Sequence, residues 1–509
     1  MNAVFIKILS FFSALLMLFL SPGGHIRTSL VDKKCPAFYG ESAVSQPLGE
    51  VEVPQHPYLA PEGVNGMHGN SYNTDAYSYS GPLGINPVVN SRSMNVFGGL
   101  VATLMFDSKG RIMCISGNVV GFRLLLMDAD TLEILCETRL PQRASTLEAI
   151  KSFDFGKISS DTSGGAYCHL LEGDRPIIGN SDNVVQIYYV DESSGTPEWK
   201  IEKEWALGSY LPEGSYITDA MPDHDGNIWF VTRPGEVGYI DPSDDSVHMM
   251  TLENEEIQNT FAMADDGIYI VSDTAMYRFD IKEDGTPYFT WRTPYDRGTS
   301  LKPGAINQGS GTTPTLLDVP CSDGSIKKVC AITDNADSRV NMVIYDRLNG
   351  DIIAEIPLFE EGHSVSENSI IAYGRSFIVE NNYSESGAGF LENDPTSYPG
   401  IYRIDLNDDC TGADIVWISN EAAPTVVPKL STGNGLFYVY TREINDDIPD
   451  SAVAWYFTAI DFRTGETVYK VFTGTGKNWN NSYGPITIGP NGTAYVGVFN
   501  GLISISDTK

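Results

Sequence analysis

Eight short apolar stretches in this chain end on aspartate: "FRLLLMD" at Asp128, "VQIYYVD" at Asp191, "VGYID" at Asp241, "MYRFD" at Asp280, "NMVIYD" at Asp346, "IYRID" at Asp405, "YFTAID" at Asp461 and "LISISD" at Asp507. Before most of them comes a Gly-containing turn and a second apolar stretch, as in "DGNIWFVT", "DDGIYIVS" and "GNGLFYVY". After most comes a polar turn and a further strand, as in "DFRTGETVYKVF". Successive aspartates stand 39 to 66 residues apart, the length of one four-stranded unit with its loops. Self-similarity at this period, in strands punctuated by Gly, Asn and Asp, predicts an all-β chain folded as a β-propeller. The expected ring has eight blades, or seven if the segment around Asp191, the poorest match, is an insertion.

The last copy breaks the pattern. "GPNGTAYVGVFNGLISISD" supplies two strands, a third precedes it at 485–488, and the outer strand is missing. An open ring would leave an unpaired sheet edge. A strand from between Pro36 and Phe97 is therefore expected to complete the last blade.

The segment "GVNGMHGNSYNTDAYSYSGPLG", Gly63 to Gly84, belongs to no blade. Rich in Gly, Asn, Ser and Tyr, it cannot form a core of its own. It is expected to drape over the ring, bringing His68, Tyr72 and Asp75 across the mouth, with disorder as the rival reading.

At the other end, Lys7 precedes an apolar run from Ile8 to Leu20. That is short for a membrane span and suits a signal peptide. The expected division is a leader over 1–24, an extension over 25–98 and the propeller over 99–509. The expected location is secreted or periplasmic, with no membrane span once the leader is removed. With 33 basic against 66 acidic residues the formal net charge is −33. Such a field repels phosphate backbones and argues against nucleic acid as partner. Of seven cysteines none shows metal spacing. Cys321 and Cys330 flank the turn-rich "SDGSIKK" and are the expected disulfide.

"NGTAYVGVFNGLISISD" and "AIDFRTGETVYKVF" resemble the repeat of quinoprotein-like (PQQ-type) propellers, with Glu466 and Tyr469 where that repeat prefers Lys and Trp. One blade, "DGNIWFVTRPGEVGYIDPSDD", is also similar to blades of the streptogramin-lyase family. These likenesses imply the fold and leave the activity open.

The repeat sorts the loops onto two faces. Turns after the repeated aspartates share one face; loops between the two middle strands, with the connections entering each inner strand, share the other. The second face varies from blade to blade, and ligands bind in propeller mouths. Its candidate binding residues are Asp334, Asn335, His363, Glu380, Asn381, Arg442, Asn481 and Tyr483. A structural role in turns is the competing reading for the Asp and Asn residues among them. The favoured function is an exported protein binding a small polar ligand or a partner protein at this face. The alternative is a quinone- or metal-dependent dehydrogenase, lyase or hydrolase using the same mouth. Against it, the chain lacks adjacent cysteines and a C-x-x-C-H haem motif, and the residues name no cofactor and no metal site.

Overall fold

Each repeated aspartate stands at, or one residue from, the end of the third strand of an antiparallel sheet, and eight such sheets form the molecule. The computed structural model describes residues 24–508 apart from 27, 95–98, 119–120, 144–163, 304, 386–397, 444–447 and 449–452. The apolar leader lies outside them. Blades 1 to 7 occupy residues 100–140, 169–206, 217–251, 262–294, 315–357, 371–419 and 429–475. The segment around Asp191 is the third strand of a complete blade 2, so the ring has eight blades. The described residues hold two short 3-10 turns and no α-helix, and none of their helices is long and apolar enough to cross a membrane.

Blade 8 is built from both ends of the chain. Ile486–Ile488, Ala494–Val498 and Gly501–Ser506 are joined by Val88–Ser93, which runs antiparallel to the last of them with Val88 opposite Ser506 and Ser93 opposite Gly501. The expected closing strand is present. The second strands Ile228–Thr232 and Gly267–Val271 read as continuous apolar runs and are buried throughout because neighbouring blades cover both faces. The outer strand Ile134–Leu140 alternates with the pleat, its half-buried residues separated by exposed ones.

The turns that follow the third strands show what the aspartate does. Asp461 accepts the backbone N–H of Arg463 (2.7 Å) and of Thr464 (3.1 Å), and Asp128 accepts that of Thr131 (2.8 Å). A short carboxylate thus caps its own turn.

Segment 63–84 does not lie over the ring but enters it. The inner strands present backbone groups to the central channel, and buried N–H groups need partners. The segment supplies them. Carbonyls of Val64, Asn65, Ser71, Tyr72, Thr74 and Asp75 accept from Phe106, Leu170, Met263, Leu316, Ala372 and Leu430, on the inner strands of blades 1, 2, 4, 5, 6 and 7. Ala76–Tyr77 pairs in parallel with Lys429–Ser431 as an extra inner strand of blade 7, whose outer edge is covered by Phe38–Gly40. Asn73 (φ 57°) and Asp75 (φ 54°) adopt the left-handed conformation that these residue types tolerate best. Residues 70–77 are all buried. The segment is polar because its work is hydrogen bonding inside the channel, a role that composition alone could not separate from a surface drape.

The disulfide also differs from expectation. Cys321 bonds Cys410, joining the turns of blades 5 and 6, while Cys330 is a buried free thiol. Register gives the reason. In blade 5 Cys330 faces Leu316, whereas Cys321 lies beyond the strand end and donates its N–H to Ser325. Five residues of extended chain, roughly 16 Å, separate Cys330 from that point, well outside disulfide reach.

Candidate functional site

Segment 63–84, the plug, carries a buried charged cluster into the channel. His68 Nδ1 lies 3.0 Å from Asp75 Oδ1, and the ammonium of Lys429, at the start of the inner strand of blade 7, donates to the same oxygen. Asp75 and Lys429 have fully buried side chains, which is tolerable because they are paired. Burial pushes the Lys429 ammonium down while Asp75 pulls it back up. His68 Nε2 stands 3.5 Å from Ser369 Oγ, in the loop entering blade 6. A second pair anchors the opposite side: His169 Nε2 lies 3.0 Å from Asp219, which also accepts from the Thr260 hydroxyl. His169 is bridged to Gly66 of the plug.

Above this floor the loops entering blades 4, 5, 6 and 8 form a wall. Glu367 precedes blade 6. Its backbone N–H donates to Asn382 Oδ1 (2.7 Å), and its carboxylate accepts a long hydrogen bond from Gln258 (3.4 Å). A Cβ at Gly311 would come within 2.6 Å of the Glu367 carboxyl carbon, so residue 311 must lack a side chain for Glu367 to occupy its place. Glu367 is part-exposed, yet dense surroundings push its carboxyl up to about 8. Lys302 and Arg233 oppose that rise only weakly. Both have other partners: Lys302 donates to the Ala336 carbonyl and Arg233 pairs with Glu256 at 2.9 Å. A group that keeps solvent contact while ringed by protein lines a concavity.

Glu380 lies deeper, 1% exposed, and neither carboxylate oxygen has a hydrogen-bond partner among the described residues. Burial holds it well above the usual carboxylate range; Asp75 adds to this, and Asn368 and Lys429 oppose it. Asn368 Oδ1, Ser366 Oγ and the Tyr483 hydroxyl likewise lack partners among the described residues. Ser482 (φ 44°) and Tyr483 (φ 62°) are both left-handed, a strained conformation for such residues that functional loops often hold. Burial raises the Tyr483 phenol, and Glu367 raises it further.

Asp334, Asn335, Asn381 and Asn481 use their polar groups internally. Asp334 accepts from the backbone of Asn341 (2.6 Å) and of Ala336 (3.2 Å) and from the Asn341 amide (2.7 Å), capping its own loop. Asn335 donates to the Arg297 carbonyl. Asn381 ties Val365, Tyr383 and His363 together. Asn481 accepts from the Thr425 hydroxyl and donates to Gly484. His363 stacks flat on Tyr398 at 3.9 Å, with Tyr383 at its edge. Arg442 is buried near the end of the second strand of blade 7. Among the described residues the geometry therefore leaves Glu380, Tyr483 and the Nδ1 of His363 as sequence candidates with unengaged groups, and adds Glu367 and Asn368. "SENS" at 366–369 carried no signal beyond polarity, because only the ring closure brings it to the axis.

Beside the cup, a cleft of about 470 Å³ is lined by Tyr216, Arg233, Asn254, Glu255, Glu256 and Asp273. Its charges are already paired, Arg233 with Glu256 and Asp273 with Arg297 at 2.5 Å. Among the described residues no group of three or more His, Cys, Asp and Glu side chains has the arrangement to hold a metal ion.

The fold and this axial cup define an eight-bladed propeller with an internal plug. No protein-family model matches the chain. A protein of unassigned function from Archaeoglobus fulgidus is 27% identical over 330 residues, covering 57% of this chain and 62% of the relative; the match thus spans about three fifths of that protein. Among solved structures, dihydro-heme d1 dehydrogenase NirN aligns with a TM-score of 0.45 at 11% identity, covering 88% of this chain and 81% of the other. Streptogramin B lyase aligns with a TM-score of 0.37 at 10% identity, covering 82% and 97%.

Proposed function

We propose that this chain is an exported propeller that binds a small polar ligand in the cup above the plug. The observation that carries the reading is the coincidence of a plugged channel with buried polar atoms that lack hydrogen-bond partners among the described residues: both carboxylate oxygens of Glu380, Asn368 Oδ1, Ser366 Oγ and the Tyr483 hydroxyl. Buried polar groups normally find partners. Groups left without one at a concave mouth suit a ligand that supplies it. Export rests on the leader pattern of the first twenty residues.

The test is a thermal-shift screen of a chemically mixed metabolite library against the wild-type chain and the Tyr483→Phe and Glu367→Gln variants. At least one polar compound should stabilise the wild type and do so less in the variants. A library that stabilises none, or stabilises all three chains equally, overturns the reading.

A second reading, an enzyme in the same mouth, draws on one line of contacts. Ser369 Oγ, His68 and Asp75 stand in the order that a hydrolytic triad uses. Against it, Ser369 and His68 are 3% and 4% exposed, and Lys429 already neutralises Asp75. Labelling of Ser369 by a fluorophosphonate would favour the hydrolase; an unlabelled protein leaves the cluster as the lock that holds the plug.

A further inference from the structure

The ligand class can be read from which hydrogen-bonding roles stand empty in the cup, an argument that rests on the binding reading above. Glu380 offers two carboxylate oxygens and Asn368 one amide oxygen, all nine-tenths or more buried and without partners among the described residues. The Asn368 amide nitrogen donates one N–H to the Val426 carbonyl and lies close enough to Glu380 to favour its charged form. Glu367, one residue earlier, faces the concavity with a single long hydrogen bond from Gln258. Neither acid has a basic partner of its own. Lys302 is held by the Ala336 carbonyl, Arg233 by Glu256 with its Nη1 alone left without a partner among the described residues, and Lys429 by Asp75. Hydroxyls of Ser366 and Tyr483 can donate or accept as needed. The vacancies are thus chiefly acceptors, and what fits them is a molecule dense in N–H donors.

We propose that the cup binds a small organic cation carrying an ammonium or guanidinium group, held by the carboxylates of Glu367 and Glu380 with Asn368 and Tyr483 completing the contacts. Charge-assisted hydrogen bonds of this kind are the strong ones. The net charge of −33 attracts cations toward the molecule before they dock. A metal ion is a poorer occupant, since no set of three or more ligating side chains is assembled among the described residues.

Binding carries a proton signature. Glu367 faces Lys302, Arg233 and Tyr483, and burial nevertheless keeps it protonated into the neutral range; Glu380 faces Asp75 and Lys429, and burial raises it as well. A cation must displace a proton to pair with Glu367. Affinity therefore rises with pH until about 8 and then levels. For one displaced proton the rise is about tenfold per pH unit.

The experiment is isothermal titration of the full chain with agmatine and putrescine, and with glucose and succinate as neutral and anionic probes, in buffers of different ionisation enthalpy. Expected are binding of at least one amine, proton release into the buffer, and a loss of tenfold or more in affinity for Glu367→Gln and for Glu380→Gln. Two variants are used because Glu380→Gln alters a buried site, whereas Glu367→Gln alters a part-exposed one. Amine binding that both variants leave unchanged overturns the assignment. If glucose or succinate binds, weakened by Tyr483→Phe, while both amines are silent, the ligand class falls and the binding reading stands. If no probe binds, this inference falls, and the library screen alone judges the wider reading.

Discussion

The carboxylate of Asp507 accepts the backbone N–H of Leu83 at 2.7 Å and, through its other oxygen, that of Ile85 at 2.8 Å. Seven of the repeated aspartates stand before the outer strand of their own blade. The eighth binds instead the segment leading into Val88–Ser93, the strand that serves as the outer strand of its blade. The capping role is kept while its partner comes from the other end of the sequence.

Replacing Asp507 with Ala should therefore weaken ring closure. Two hydrogen bonds to a charged acceptor at a half-buried site are worth about 1–3 kcal/mol together. Chemical unfolding should report a loss of that size, and deletion of residues 36–97 should abolish cooperative folding. A deletion variant that melts at the wild-type temperature would show that the ring does not depend on this segment.

The disulfide makes a second prediction. Peptide mapping of the oxidised protein without reduction should recover Cys321 linked to Cys410 and Cys330 as a free thiol. The bond spans a sequence separation of 89 residues. Loop-entropy reasoning puts its contribution at up to about 4–5 kcal/mol, so Cys410→Ser should lower the melting temperature. Recovery of a Cys321–Cys330 peptide would overturn the register argument.

The plug lock is testable by a double-mutant cycle. Asp75→Asn strands the buried Lys429 ammonium, and Lys429→Met strands Asp75 beside His68. Each single change should cost about 3–5 kcal/mol, because an unpaired buried charge is left behind. The double change should cost much less than the sum. Additive losses in urea unfolding would mean that the pair does not act as a unit.

The ring was legible in the sequence because its evidence is local. Strand, turn and aspartate recur within each blade, so Asp128 to Asp507 could be counted without knowing any contact between blades. Even the closing strand followed from an edge that could not be left open. The plug was not legible, since nothing in "NSYNTDAY" says whether its polar groups meet water or the inner strands. The cup was only partly legible for a related reason. Asp334, Asn335, Asn381 and Asn481 have the residue types of a binding loop and also those of a self-capped turn, and the structure shows their hydrogen bonds spent on their own loops. Glu367 stands out only once Gly311 and Gln258, remote in sequence, are seen against it.

The pH dependence of stability offers a last measurement, free of any ligand. Glu367 has an ordinary value of 4.5 and is raised to about 8 in the folded chain, chiefly by burial. A carboxyl with a raised folded value binds its proton more tightly folded than unfolded. Its contribution is therefore most favourable below about 4.5, declines as pH rises because the unfolded chain gives up the proton first, and levels off above about 8. The decline for one such group is at most about 1.4 kcal/mol per pH unit. Glu367→Gln removes the titrating proton while keeping the shape and the contact with Gln258. Unfolding curves of the two chains between pH 5 and pH 8 (about the titration window) should diverge, the variant losing less stability than the wild type as pH rises. Parallel curves would mean that Glu367 is well solvated, and that the concave wall argued from it is open to bulk water.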